Sequence, residues 1–192
     1  KNNRIHRVHV AETGVGGQNE AGIMTYNSND NLIENNEIYD AGVGIFIKGI
    51  QTGFTQARNI IRNNYVHDHV GGSGIRVLAA SDTLIYQNIV TNNETGIRAG
   101  FFDSTRSRFV NNTVYNNYNM GTHTQGAELV DVHFKNNIVV GPRAAAGDWS
   151  TANPSVQSIS YDRNIYYNHS MFADFTAGAI TFPVWQSTYG LD

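Results

Sequence analysis

The stretch Thr83-Leu84-Ile85-Tyr86-Gln87-Asn88-Ile89-Val90, followed by Gly96-Ile97-Arg98-Ala99, decides the fold. It holds an alternating segment, a polar pair ending in Asn, a short apolar run and a glycine-led run. The pair and its apolar follower recur as Asn2-Asn3-Arg4-Ile5, Asn35-Asn36-Glu37-Ile38 and Asn63-Asn64-Tyr65-Val66. They return as Asn111-Asn112-Thr113-Val114, Asn136-Asn137-Ile138-Val139 and Arg163-Asn164-Ile165-Tyr166. The second Asn falls at 3, 36, 64, 88, 112, 137 and 164, in steps of 33, 28, 24, 24, 25 and 27. One such tetrapeptide carries no information, but seven at near-constant spacing are an internal repeat.

Each repeat reads as three short strands with turns. Asn31-Leu32-Ile33-Glu34 and Asn59-Ile60-Ile61-Arg62 match the first segment, and Gly44-Ile45-Phe46-Ile47 and Gly74-Ile75-Arg76-Val77 match the last. Period-2 runs of β-branched residues bounded by Gly, Asn and Asp are strands and turns. No segment holds a helical period over the ~10 residues a helix needs. A unit of this length with three strands is one coil of a solenoid, whose equivalent strands stack in parallel about 4.8 Å apart. A hairpin sandwich would need repeated two-residue turns, which are absent. A leucine-rich repeat would need a regular leucine signature. An Asn at one turn of every coil bonds the coils above and below through its amide, and being neutral it stacks without repulsion.

Composition agrees. The 192 residues include no Cys, 24 Asn, 19 Gly and only 15% charged residues, against ~25% in an average globular chain. Disulfide scaffolds and cysteine zinc sites are excluded. A net charge of -3 and a pI near 6.1 give no pull toward nucleic acid. No run approaches the ~20 apolar residues of a membrane helix. The chain opens at Lys1, already inside a repeat, which sets the expectation of a processed product or of further coils in a longer parent.

The arrangement resembles the right-handed parallel β-helix repeat proteins, where N-x-I and G-I segments recur once per coil. The resemblance implies an all-β, three-sheet solenoid of about seven coils over residues 1–168, with residues 169–192 as a C-terminal cap or tail. Phe182-Pro183-Val184-Trp185-Gln186 and Tyr189 are expected in that cap. The family includes polysaccharide lyases, glycoside hydrolases, epimerases, tailspikes and non-catalytic surface proteins. Tails like Gly190-Leu191-Asp192 follow β-helices in secreted bacterial carbohydrate-active proteins, so a secreted or cell-surface location is implied. The signature sets of alginate epimerases, polygalacturonases and calcium-dependent pectate lyases are absent, and no catalytic role is carried over from them.

Two constellations carry chemistry. If the first Ile of each glycine-led strand points inward, the next residue points outward. The outward column then reads Met24, Phe46, Arg76, Arg98 and His123, and the column two residues on begins Tyr26, Lys48. Lys48, Arg76, Arg98 and His123 form a cationic stripe with Tyr26 at one end. Arginine recognises carboxylate or sulfate bidentately, and aromatic rings stack on sugars, so an acidic polysaccharide fits this face. The plain alternative is a solvated sheet face with Arg stems covering apolar surface.

The second constellation is His67-Asp68-His69 with Asp40, one coil earlier than Asp68. Carboxylates one rung apart approach the ~5–5.5 Å separation of a retaining glycosidase pair. With a histidine they are also compatible with calcium, although no motif indicates a cofactor and no metal ligands are assigned. The same column continues as Asn92, Asn116 and Asn168, which points to a polar ladder at a turn. Long excursions at 11–21, 50–57, 67–73 and 141–157 are where a scaffold builds sites. The expectation is therefore a carbohydrate-active β-helix, lyase or hydrolase, with His67, Asp68 or Asp40 in catalysis. A non-catalytic glycan-binding or structural module is the alternative. The expected partner is a polysaccharide, with neither nucleic acid nor membrane insertion.

Overall fold

The structure is a computed structural model that describes residues 1–8, 19–49, 56–69, 71–100, 104–125, 129–141, 149–150, 159–169, 172–174 and 178–189. The excursions at 11–18, 50–55, 142–148 and 151–158 lie outside the described residues. Strands from successive repeats pair in parallel and in register, as in Ile61 to Ile85 to Phe109 and Val66 to Val90 to Val114. The result is a solenoid of about five turns.

Two expectations on the architecture need correction. The described residues form four sheets, with seven, four, six and eight strands. The extra sheet consists of the two-residue strands Gln56–Ala57, Ala80–Ser81, Ser104–Thr105 and Leu129–Val130. They follow the long strands, two of which end at left-handed bends, at Ala79 (φ 48°) and Gly100 (φ 101°). The turns number about five, fewer than the seven Asn copies.

The bends explain the composition. The first member of each Asn pair is left-handed: Asn2, Asn35, Asn63, Gln87, Asn111, Asn136 and Arg163 have φ between 53° and 61°. Such a backbone costs ~1–2 kcal/mol for most residues and less for Asn and Asp, whose short side chains bond locally. The second member turns inward. The Oδ1 of each Asn from Asn36 to Asn164 accepts both the backbone N–H and the Nδ2–H of the Asn one coil before, at 2.9–3.1 Å. The ladder runs unbroken from Asn3 to Asn164. It satisfies N–H groups that leave the sheet at the bend.

Inside, columns of like residues stack. Ile33, Ile61 and Ile85 are followed by Phe109, Phe134 and Tyr161, whose rings lie parallel with centroids 4.4 and 5.0 Å apart. Gly44, Gly74, Gly96 and Gly121 lead the long strands because no Cβ fits. At Gly96 it would lie 2.4 Å from both the Gly121 carbonyl oxygen and Val114 Cγ1. At the C-terminal end, Phe172–Asp174 pairs antiparallel with Gly178–Ile180. A helix, Phe182–Tyr189, follows. This eight-residue helix, with Pro183 in its first turn, is too short to register as a hydrophobic period. The rings of Tyr166, Phe172 and Phe182 meet there, with centroids 4.9–5.6 Å apart.

Candidate functional site: a cationic hollow on the long sheet

The six-residue strands Ala21–Tyr26, Val43–Lys48, Ser73–Leu78, Thr95–Gly100 and Met120–Gln125 build one broad outer face. Register sets Met24 beside Phe46, Phe46 beside Arg76, Arg76 beside Arg98, and Arg98 beside His123. The same column reaches Trp149 by backbone pairing. Arg76, Arg98 and His123 therefore occupy three consecutive rungs, ~4.8 Å apart.

They floor a hollow of about 280 Å³, also lined by Ser73, Thr95, Glu94, Asn119 and the Gly71-Gly72 segment. Backbone contacts fix its rim. Glu94 and Thr95 donate their N–H groups to the Gly72 carbonyl at 3.1 and 3.3 Å, and Asn119 donates to the Glu94 carbonyl at 2.9 Å. The Gly71 N–H donates to the Tyr118 hydroxyl at 2.9 Å. Gly72 is required there, since a Cβ would fall on the Gly42 carbonyl oxygen.

Two guanidinium groups, Arg76 and Arg98, and one carboxylate, Glu94, line the hollow. Arg76 is only 7% exposed, and its Nε is buried without a hydrogen-bond partner. Its guanidinium lies 4.8 Å from the centroid of the Phe46 ring, a cation–π contact. Burial, then the positive charge of Arg98, pushes the Arg76 pKa down to about 10. Burial also lowers Arg98, with Glu94 pulling the other way. His123 is pushed down to about 3, first by burial and then by Arg98 and Arg76. At neutral pH His123 is an uncharged imidazole beside two guanidinium groups.

The other expected residues lie elsewhere. Lys48 is at the end of the face toward the N-terminus, bonded to Asn19 Oδ1 at 2.6 Å. Its Nζ stands 5.5 and 5.7 Å from the Tyr26 and Phe46 ring centroids. Tyr26 is 55% exposed there, so Lys48 and Tyr26 form a patch next to the hollow without lining it.

His67, Asp68 and Asp40 do not line it either. Asp40 and Asp68 sit in a left-handed turn column with Asn92, Asn116 and Asn168, φ 52–61°. His67 is buried between the Tyr39 and Tyr65 rings, and its Nδ1 lies 2.7 Å from Asp68 Oδ2. His69 extends a second polar ladder. Its Nδ1 accepts the Ala41 N–H at 3.1 Å, and its own N–H donates to Asn93 Oδ1. Among the described residues, no three His, Asp or Glu side chains gather to hold a metal ion.

Sequence reading missed Glu94, Ser73 and Thr95 as walls. Strict alternation sets Ser73 and Thr95 with the inward Ile75 and Ile97, so the outward-column rule gave no signal for them. Glu94, in a turn, carried no periodic signal.

No helix among the described residues is long and apolar enough to cross a membrane. No curated protein matches the chain significantly. The family model described as "Right handed beta helix region" matches residues 1–172. With its parallel coils and stacked asparagines, the chain belongs to the right-handed β-helix family.

Proposed function

We propose that the chain is a secreted or cell-surface carbohydrate-active β-helix that binds an acidic polysaccharide over the hollow floored by Arg76, Arg98 and His123. One observation carries this reading: Arg76 is almost wholly buried, its Nε is unpaired, and its neighbours along the column are Arg98 and an aromatic ring. A buried guanidinium that lacks an anionic partner is costly, the Phe46 ring offsets only part of that cost, and a ligand carboxylate or sulfate offsets more through charge-assisted bonds. The exposed Tyr26 and the Lys48 patch extend the same face for further sugar rings.

Elimination suits this geometry better than hydrolysis. Two arginines neutralising a uronate carboxylate make the C5 ring proton more acidic. The bound carboxylate in turn offsets the guanidinium charges that depress His123. The His123 imidazole accepts that proton as the C4–C5 double bond forms and the C4–O glycosidic bond breaks, the leaving oxygen taking a proton from water. Asp40 and Asp68, the hydrolase pair, are turn residues away from the hollow. Incubation with a panel of uronate and sulfated polymers tests the reading through ultraviolet absorbance of the unsaturated product. Absorbance gain that is lost in His123→Ala supports a lyase. Binding without product supports a non-catalytic glycan-binding module, and neither binding nor product refutes both.

A further inference from the structure

A different sheet carries a second constellation. His133 and Ser160 pair in register on neighbouring rungs of the sheet that contains Arg108–Val110, Val132–Lys135 and Ile159–Asp162. Ser160 Oγ lies 2.5 Å from His133 Nδ1, and His133 Nε2 lies 2.6 Å from Asp131 Oδ1. Arg108 Nη2 donates to Asp131 Oδ2 at 2.8 Å, and its Nη1 donates to the Asp131 backbone carbonyl.

The tautomer follows from these contacts. Arg108, then His133, holds the Asp131 carboxyl below the usual carboxylate range, so Asp131 accepts. A neutral imidazole has one N–H and one lone pair. With Nε2–H given to Asp131, Nδ1 carries the lone pair, and the Ser160 hydroxyl donates to it. Nucleophile, base and orienting carboxylate are thus connected in the order that acyl transfer requires, which is recognised by geometry rather than chain order.

We propose that Ser160 is an activated nucleophile for carboxylic esters, with His133 as its base and Asp131 as the positioning residue. Ser160 Oγ forms a bond to the ester carbonyl carbon while its proton passes to His133 Nδ1. The carbonyl–alkoxy bond breaks, and the alkoxide leaves as the alcohol with that proton. Water, deprotonated by the same nitrogen, then releases the acid and restores Ser160. His133 and Asp131 side chains are 37% and 41% exposed, so the set lies on an open face. Such a face suits a small acyl group displayed on an extended polymer. The site is separate from the cationic hollow and does not depend on it.

The test uses the full chain with a fluorophosphonate reagent and with p-nitrophenyl acetate, and peptide mapping locates the modification. Exposed Ser187 on the terminal helix is the internal control. General-base assistance of ~10²–10⁴ predicts Ser160 modification about a hundredfold or more faster than Ser187. Ser160→Ala removes ester cleavage, and His133→Gln brings labelling down to the Ser187 rate. Asp131→Asn loses labelling while Asp131→Glu retains it, a rescue that a purely structural role would not give. Circular dichroism confirms that the variants fold. Ser160 modification at the Ser187 rate, or ester cleavage unchanged in Ser160→Ala, overturns the proposal and marks the cluster as a polar cross-strand ladder.

Discussion

Asn112 Oδ1 holds Asn88 twice, through the Asn88 backbone N–H at 3.1 Å and its Nδ2–H at 3.0 Å. Asn88 in turn accepts the same pair from Asn64 at 3.0 Å each, and its Nδ2 donates to the Ile61 and Tyr86 carbonyls at 3.1 Å. Asn88→Ala would leave the buried Asn64 N–H without its acceptor. The expected loss is about 2–4 kcal/mol by urea denaturation, because orphaned buried groups cost ~1–3 kcal/mol each. Asn3→Ala, at the exposed end of the ladder, should cost less than about 1 kcal/mol.

The spacing of Asn88 and its copies made the coil readable from sequence because stacking forces one residue type into one column. What stayed hidden were the features without a column period. The fourth sheet rests on two-residue strands, and its bends use residues as unlike as Ala79 and Gly100. The terminal helix is two turns long. A third turn column, Asp30, Arg58, Asp82, Arg106 and Asp131, alternates in charge at every step. Arg58 grips Asp30, and Arg106 grips Asp82, through paired bonds of 2.6–2.8 Å. An alternating column repeats no letter on adjacent coils, so a search for sameness passes over it.

Gly96 tests close packing between sheets. Gly96→Ala would press its methyl onto Val114 Cγ1 and the Gly121 carbonyl, both at 2.4 Å. Overpacking of this kind costs about 1–3 kcal/mol. Adding Val114→Ala should recover part of the loss, so the two changes should couple in a double-mutant cycle by more than about 0.5 kcal/mol.

His69 gives the fold an acid-sensitive point. Burial, opposed by the Ala41 carbonyl oxygen 3.1 Å from Nδ1, pushes its pKa down to about 4 from 6.5. The unfolded chain therefore binds the proton first, and stability present above pH 6.5 declines as pH falls toward 4. By linkage the loss is on the order of 3 kcal/mol. His123, pushed down to about 3, adds a loss in the same direction. His69→Asn keeps an acceptor for the Ala41 N–H, in line with Asn93 and Asn117 in that column. It should leave neutral-pH stability within about 1 kcal/mol and raise the urea midpoint at pH 4.5 relative to wild type.

Arg76 should show opposite effects on stability and binding. Arg76→Met removes a buried charge that has no carboxylate partner, so thermal unfolding should shift upward, by on the order of 1 kcal/mol of stability. The same change should weaken acidic-glycan binding about ten- to a hundredfold, the worth of one or two charge-assisted bonds. A variant that loses stability and binding together would point to a structural arginine instead.

The candidate site was half legible. Arg76, Arg98 and His123 came from a single rule, outward alternation after a glycine-led Ile, and register places them in one line. Asp40 and Asp68 have left-handed backbones that identify them as bend residues, the turn ladder to which Asn92, Asn116 and Asn168 in the same column already pointed. The Asp131–His133–Ser160 set was missed because Ser160 joins the other two only across coils, 27 positions on from His133. Its partners are neither alike nor adjacent in sequence.

The most direct test of the central claim is calorimetric titration of wild type and the Arg76→Met/Arg98→Met double variant. Each is titrated with a uronate polymer and with the same polymer after carboxyl reduction. Wild type should bind only the acidic form, with affinity that falls as salt rises, and the double variant should bind neither. Equal binding of both polymers, or unchanged binding by the double variant, would contradict the assignment of the hollow as an acidic-glycan site.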